Sequence, residues 1–218
     1  MARAGPDHPA GSAIADAVRS RYARLAGESS ALSCGAALDL SEPRPGEVLL
    51  DLGCGRGQDV LRAAARVGPS GAAIGVDSSE AMLARAWESV PAGARNVRLL
   101  RNDLAALDLP DGSADVVISN CSINHAPDKG AVYREIRRVL RPGGRFVVSD
   151  VVSLEELPAS VRSDPAAWAA CYGGAVPEPE YLAAIRDAGF EKVEVLQRTE
   201  PYRKGSVQVR SLTLKGTR

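Results

Sequence analysis

Short apolar runs alternate along this chain with longer amphipathic stretches. Val48–Leu52, Ala72–Val76, Asn96–Asn102, Ala114–Ser119 and Arg145–Ser149 read as strands, rich in short apolar β-formers and bounded by turn residues. Between them, Asp59–Arg66, Ala81–Ser89 and Lys129–Leu140 follow helical spacing, the last with Val132, Ile136, Val139 and Leu140 on one face. Strand alternating with helix predicts an α/β fold around a mostly parallel sheet with helices on both faces. Upstream, Ile14, Val18, Tyr22 and Leu25 mark a helix from Ser12, its expected N-cap, to Leu25, preceded by a frayed Pro-, Gly- and Ala-rich start at 1–11. Gly27–Leu40 reads as a loop or short helix carrying Cys34, and Pro43–Gly46 as a turn. Downstream, 152–163 is mixed. Asp164 and Pro165 cap a short helix expected to carry Trp168 and Cys171 and to end at Gly173-Gly174. Glu178–Ala188 is a further helix, and Lys192–Arg198 and Val207–Lys215 are the last two strands of an expected seven.

Composition narrows the classes. At 218 residues, 45% apolar and 25% charged, one α/β domain is expected, with a helical cover at 1–45, a core at 46–150, an inserted segment at 151–177 and a terminal helix and strands at 178–218. The formal net charge of +0 gives no sign of a nucleic-acid or membrane-surface partner. No run has the length of a transmembrane helix, and the N-terminus lacks a signal-peptide core. The expected setting is therefore cytoplasmic, with the four cysteines as reduced thiols, none of them in a Cys-x-x-Cys pair.

The strand Val48–Leu52 runs into Gly53-Cys54-Gly55-Arg56-Gly57 and then a helix. Glycines permit the turn and let main-chain N–H groups approach a polar ligand at the helix N-terminus. The spacing is Gly-x-Gly-x-Gly, which departs from the dinucleotide fingerprint, and no Walker lysine follows. Asp51 ends the first strand. Asp77 ends the second, roughly two dozen positions on, where a Rossmann-like sheet offers a carboxylate to ribose. These residues resemble motif I of the class I S-adenosylmethionine-dependent methyltransferases, and Leu140-Arg-Pro-Gly-Gly-Arg-Phe146 is similar to another pattern of that class. The resemblance implies a Rossmann-like class I methyltransferase fold with a seven-stranded sheet, and S-adenosyl-L-methionine as cofactor with S-adenosyl-L-homocysteine as product. It places the cofactor against Asp51, Gly53, Cys54, Gly55, Gly57, Asp77, Ser78, Met82, Asp103, Leu104 and Asn120. Met82 also reads as a plain core residue, and Cys54 as a small side chain that fits the turn.

Cys121 follows the fourth strand at the sheet edge where open α/β folds bind ligands. Cys171 lies in the inserted segment and Cys34 in the N-terminal cover, so three thiols on three segments can converge on one cleft. A cysteine is equally at home as a small buried hydrophobe. The wording around them, Ile118-Ser-Asn-Cys121-Ser-Ile-Asn-His-Ala-Pro-Asp-Lys129 and Asp164-Pro-Ala-Ala-Trp-Ala-Ala-Cys171, resembles the arsenite methyltransferases, as do Gly68–Asp77 and Ser33-Cys34-Gly35.

That resemblance implies As(III) held by Cys121, Cys171 and Cys34, methylation on arsenic as a detoxification step, and a thiol reductant such as glutathione or thioredoxin as co-substrate. The chemistry is coherent. As(III) is soft and thiophilic, and it keeps a lone pair when three-coordinate. Its lone pair carries no proton, so positioning replaces general base catalysis. The thiols lose their protons on binding, so metalloid affinity rises with pH through the thiol range. The chain departs from the family at His125, where an apolar residue is usual, and it carries neither an adjacent Cys pair near its start nor a further C-terminal domain.

Two other readings stand. One is an O-, N- or C-methyltransferase of a small organic molecule with His125 or Asp150 as base; the bland reading of His125 is a loop histidine at the cleft edge. The other is a protein that binds metalloid and cofactor without turnover.

Overall fold

A computed structural model describes residues 9–27 and 35–218. The chain begins with α1 (Pro9–Leu25) and α2 (Ala37–Ser41), then enters the sheet through β1 (Val48–Leu52). There follow α3 (Gln58–Val67), β2 (Ala72–Asp77), α4 (Glu80–Glu88), β3 (Val97–Arg101) and β4 (Ala114–Asn120). Next come α5 (Lys129–Val139), β5 (Leu140–Ser153), α6 (Ala159–Arg162), α7 (Pro165–Ala169) and α8 (Glu178–Asp187). The chain closes with β6 (Val193–Arg198), β7 (Tyr202–Lys204) and β8 (Val207–Thr217).

The strands form one sheet in the order β3-β2-β1-β4-β5-β8-β6, with β7 paired to β8. The first five neighbours are parallel, and β8 runs antiparallel to β5, β6 and β7. The sheet therefore has eight strands and not the expected seven. The additional strand is the three-residue β7, whose Tyr202-Arg203-Lys204 carries no apolar run, so hydropathy did not mark it.

Strand alternation divides the core into two layers. Leu50, Leu52, Ile74, Val76, Val117, Phe146 and Val148 pack with Val132, Ile136 and Ile185 of α5 and α8. Leu49, Ala73, Val116, Ile118 and Val147 pack with Leu38, Val60, Ala63 and Leu83 of α2, α3 and α4. Both phenylalanines join one aromatic group: Phe146 lies 4.8 Å from Phe190 and 5.6 Å from Tyr133, centroid to centroid.

Three local expectations are corrected. The first helix starts at Pro9, so Ser12 lies within it and is not its cap. The fifth strand is longer than Arg145–Ser149. It runs from Leu140 to Ser153, because β8 supplies a partner from Arg145 through Ser153. Helix α7 stops at Ala169, so Cys171 lies past its end and not on it. The Asp164 cap holds, its side chain accepting the Ala166 N–H, and Ser79 caps α4 in the same way by accepting the Met82 N–H.

Candidate active site

The strand order turns back between β1 and β4, which opens a crevice at their carboxyl ends. A cleft of about 510 Å³ lies there, within the usual range for a small-molecule site. Its lining includes Asp51, Gly53, Cys54, Gly55, Asp59, Asp77, Ser78, Asp103, Leu104, Asn120, Cys121, His125 and Cys171, with Tyr22 and Leu25 from α1.

The glycine turn is shaped by contacts that exclude side chains. Gly53 has φ +76°, and a Cβ there would sit 2.0 Å from Ser122 Oγ. Gly55 (φ +52°) donates its N–H to Asp77 Oδ2 at 2.9 Å, while a Cβ on it would meet nothing within 4 Å. Asp77 also accepts the Ser79 N–H at 2.8 Å, so this carboxylate ties the turn to the start of α4. Burial pushes the Asp77 carboxyl up, against these backbone donors. Asp51 is almost fully buried, and burial first, then the charges of Asp59 and Asp77, push its carboxyl well above the usual range. Asn120 donates to Asp59 Oδ2 at 3.1 Å and accepts the Ala37 N–H, which joins α2, α3 and β4 at the cleft floor.

Cys121 directly follows β4 and donates its N–H to Ser149 O at 2.8 Å. Cys171 follows α7, its N–H on Trp168 O at 2.9 Å. Among the described residues the only non-glycines with positive φ are Glu42, Cys121 (φ 56°) and Cys171 (φ 67°). A left-handed conformation costs a non-glycine residue about 1–2 kcal/mol and is concentrated at functional sites. Just past a helix, the position of Cys171 is one that glycine ordinarily fills. Both thiols lie in electrostatic reach of the Tyr22 hydroxyl, whose acidity is suppressed by burial first and then by Cys171, with Cys121 adding to it. Tyr22 Oη lies 3.0 Å from His125 Nε2 and 3.4 Å from Cys171 Sγ, and His125 Nε2 lies 3.3 Å from Cys171 Sγ. No disulfide joins Cys54, Cys121 and Cys171 to one another.

A family model described as a methyltransferase domain matches residues 43–203. A curated arsenite methyltransferase of Halobacterium salinarum is 42% identical over 170 residues, which span 78% of this chain and 44% of that relative. An X-ray structure of an arsenic(III) S-adenosylmethionine methyltransferase from Chlamydomonas reinhardtii matches with a TM-score of 0.74 at 32% identity, over 97% of this chain and 74% of that one. The chain belongs to the arsenite methyltransferase family of class I methyltransferases. Nocamycin O-methyltransferase of Saccharothrix syringae is also similar, 46% identical over 126 residues, which span 57% of this chain and 44% of that relative. The chain thus spans less than half the length of these curated relatives.

The cleft of this methyltransferase suits the family's cofactor. S-adenosylmethionine carries an ammonium and a sulfonium, and Asp51, Asp59 and Asp77 concentrate negative charge that a cation relieves. Arg19, Arg21, Arg56 and Lys204 also line the cleft and supply charge for a carboxylate.

The residues expected from sequence are not all brought to the cleft. Gly57 is buried at the N-cap of α3, where a Cβ would lie 2.9 Å from Ala86 Cβ, and it does not line the cleft. Met82 is fully buried and is likewise absent from the lining. Cys54 lines the turn, yet it packs with Val60 and Leu49, and burial pushes its thiol up. Asp103 is exposed at the cleft edge, and its Oδ1 accepts the Ala105 N–H at 2.8 Å. Cys34 lies outside the described residues. Sequence reasoning passed over Tyr22 and Asp59. Tyr22 was one member of an apolar stripe, though the only one with a hydroxyl.

Asp150, the other base considered from sequence, is held by the Val151 and Asn124 N–H groups at 2.9 and 3.1 Å and by the Tyr181 hydroxyl at 3.2 Å. It borders a second cleft of about 410 Å³, lined with Cys121, Ser149, Thr199, Ser211 and Thr213. Burial raises the Asp150 carboxyl from 3.8 to about 6, partly offset by these donors and by Lys129. A carboxyl raised on folding takes up a proton, so its stabilisation is full below the unfolded value and is lost as pH rises to the folded one. The unfolding free energy of the wild type, measured against Asp150→Asn in urea, is expected to fall by about 2 kcal/mol between pH 4 and pH 6.5. A pH-independent difference would show that Asp150 titrates normally.

Proposed function

We propose that this chain methylates trivalent arsenic held by Cys121 and Cys171, with Cys34 as a third thiolate. The observation that carries the reading is that Cys121 and Cys171, far apart in sequence, border the same cleft as the glycine turn, each in a left-handed conformation. Maintaining two strained cysteines at one cleft is costly for packing alone and natural for ligation.

S-adenosylmethionine, when bound, would supply a sulfonium-activated methyl group for the arsenic lone pair. Asp51, Asp59 and Asp77 would hold its cationic portion through charge, and the Gly53–Gly55 backbone allows close approach. Asn120 fixes the floor between α2 and α3. The two cysteines would fix arsenic in the cleft that the glycine turn also borders, which is catalysis by positioning. Helix α1 covers the cleft through Tyr22 and Leu25 and limits water there. We read the chain as one methyltransferase domain acting on a small metalloid substrate, in the cytoplasm, with glutathione or thioredoxin restoring the thiols. No helix among the described residues is long and apolar enough to cross a membrane.

A small organic acceptor is the second reading, favoured by the likeness to an O-methyltransferase. It needs an available base, yet His125 Nε2 is already engaged by Tyr22 and Cys171. Release of S-adenosylhomocysteine, measured with glutathione present and with or without arsenite, separates the two. Turnover is expected only with arsenite. Turnover that ignores arsenite would overturn the arsenic reading.

A further inference from the structure

Two cysteines share one arsenic only if their sulfurs are held at a fixed separation, and Cys121 and Cys171 sit on separate segments. Each is tied down locally. Cys121 is fixed to β5 through Ser149 O, and the chain then makes the single turn Ile123–His125 before Asp128 caps α5. Past Cys171, the Tyr172 and Gly173 N–H groups both return to Ala167 O, at 3.1 and 2.9 Å, which folds the segment back onto α7. These bonds set each thiol on its own segment and leave the gap between the segments to other contacts.

The two segments meet at Gly174. A Cβ there would lie 2.0 Å from Asn124 O, so the backbone that carries Cys171 rests on the carbonyl three residues past Cys121. The Trp168 ring closes the other side, 2.6 Å from the same point. Gly174 does not have a positive φ, so this contact and not conformation requires glycine. From the first turn of α5, Lys129 Nζ donates to Gly174 O at 2.5 Å. The Lys129 side chain is buried, where a polar nitrogen needs a partner, and this carbonyl is one. Asn124 is anchored in turn: its N–H bonds Asp150 Oδ2 at 3.1 Å and its Nδ2 bonds Val151 O at 2.6 Å. The Cys171 segment therefore touches the Cys121 segment at a place that β5 holds.

We propose that Gly174 and Lys129 are positioning residues that fix the separation of Cys121 and Cys171, so that the two thiols take one arsenic together. The proposal rests on both cysteines being arsenic ligands. Neither Gly174 nor Lys129 lines the cleft, so each acts through the thiols. Gly174→Ala puts a methyl group between the two segments. The atom it meets is a backbone oxygen, which has no rotamer through which to give way, so the segments move apart. Lys129→Met keeps the length of the side chain and removes the bond that draws Gly174 toward α5. Both changes leave each thiol in place as a separate nucleophile.

Phenylarsine oxide is the probe. Its arsenic trades its oxygen for two thiolates, and the two thiol protons leave with that oxygen as water. The reference is the full chain with Cys34→Ser, so that Cys121 and Cys171 are the pair under test. Retention is read as the dithiothreitol concentration that releases half of the bound arsenical. Gly174→Ala and Lys129→Met are each expected to lower it roughly 10- to 100-fold, toward the value of a Cys171→Ser control. Iodoacetamide takes one sulfur at a time, and its labelling of each thiol, read by peptide mass, is expected to stay within about twofold of the reference.

Retention unchanged in both variants would overturn the proposal. So would weaker retention with both thiols labelled faster, which marks a loosened fold and not a changed spacing. A reference protein that holds the arsenical no better than Cys171→Ser would instead overturn the arsenic reading on which the proposal rests.

Discussion

Replacing Cys171 or Cys121 by serine is expected to reduce arsenite-dependent release of S-adenosylhomocysteine by about 100-fold or more, with the fold intact. Serine keeps the size of the side chain and removes the soft donor, and an alkoxyl does not replace a thiolate on arsenic. A control follows from the backbone. Cys171 has φ 67° at a position past α7 where glycine is usual. Cys171→Gly is therefore expected to be more stable than Cys171→Ala by about 1 kcal/mol, while both are inactive toward arsenite. Chemical denaturation and the turnover assay read the two effects independently. Arsenite turnover surviving in both serine variants would remove these thiols from the reaction.

Asp51→Asn is expected to weaken S-adenosylmethionine binding by about 2–3 kcal/mol, or roughly 30- to 150-fold in Kd by calorimetry, and to raise the melting temperature of the ligand-free protein. Both effects come from one arrangement. Asp51 lies in a buried strand end facing Asp59 and Asp77, and burial and those charges raise its carboxyl well above the usual range. Folding then favours the protonated carboxyl, so this group's stabilisation is full at low pH and is lost as pH rises toward the folded value. Ionising the side chain in this setting costs free energy, the amide removes that cost, and a cationic cofactor offsets it. If Asp51→Asn melted lower and bound as tightly as wild type, the carboxylate would be a structural group.

These expectations draw on different levels of the molecule. The parallel core was legible in the sequence because β1, β2 and β4 are short runs of apolar β-formers, each closed by a turn or cap. β7 was not legible, since a three-residue strand is defined by its partner β8 and not by its own hydropathy. The long reach of β5 likewise depends on β8 lying beside it. Met82 reads from sequence both as a cofactor contact and as a core residue, and packing, which sets a helical residue's direction, turns it into the core.

Cys121 and Cys171 were marked by sequence through their neighbours. Their left-handed backbones, and the meeting of Cys171 with Tyr22 and His125, belong to the tertiary structure. By itself the sequence determined the elements, the glycine turn and the identity of the soft donors, because these depend on local steric and chemical preference. Only the fold decided which donors share a cleft, which carboxylates press on one another and which side chains meet Cys171. Contacts between segments as distant as Tyr22, His125 and Cys171 arise when the sheet and its covering helices close, and no local preference encodes them.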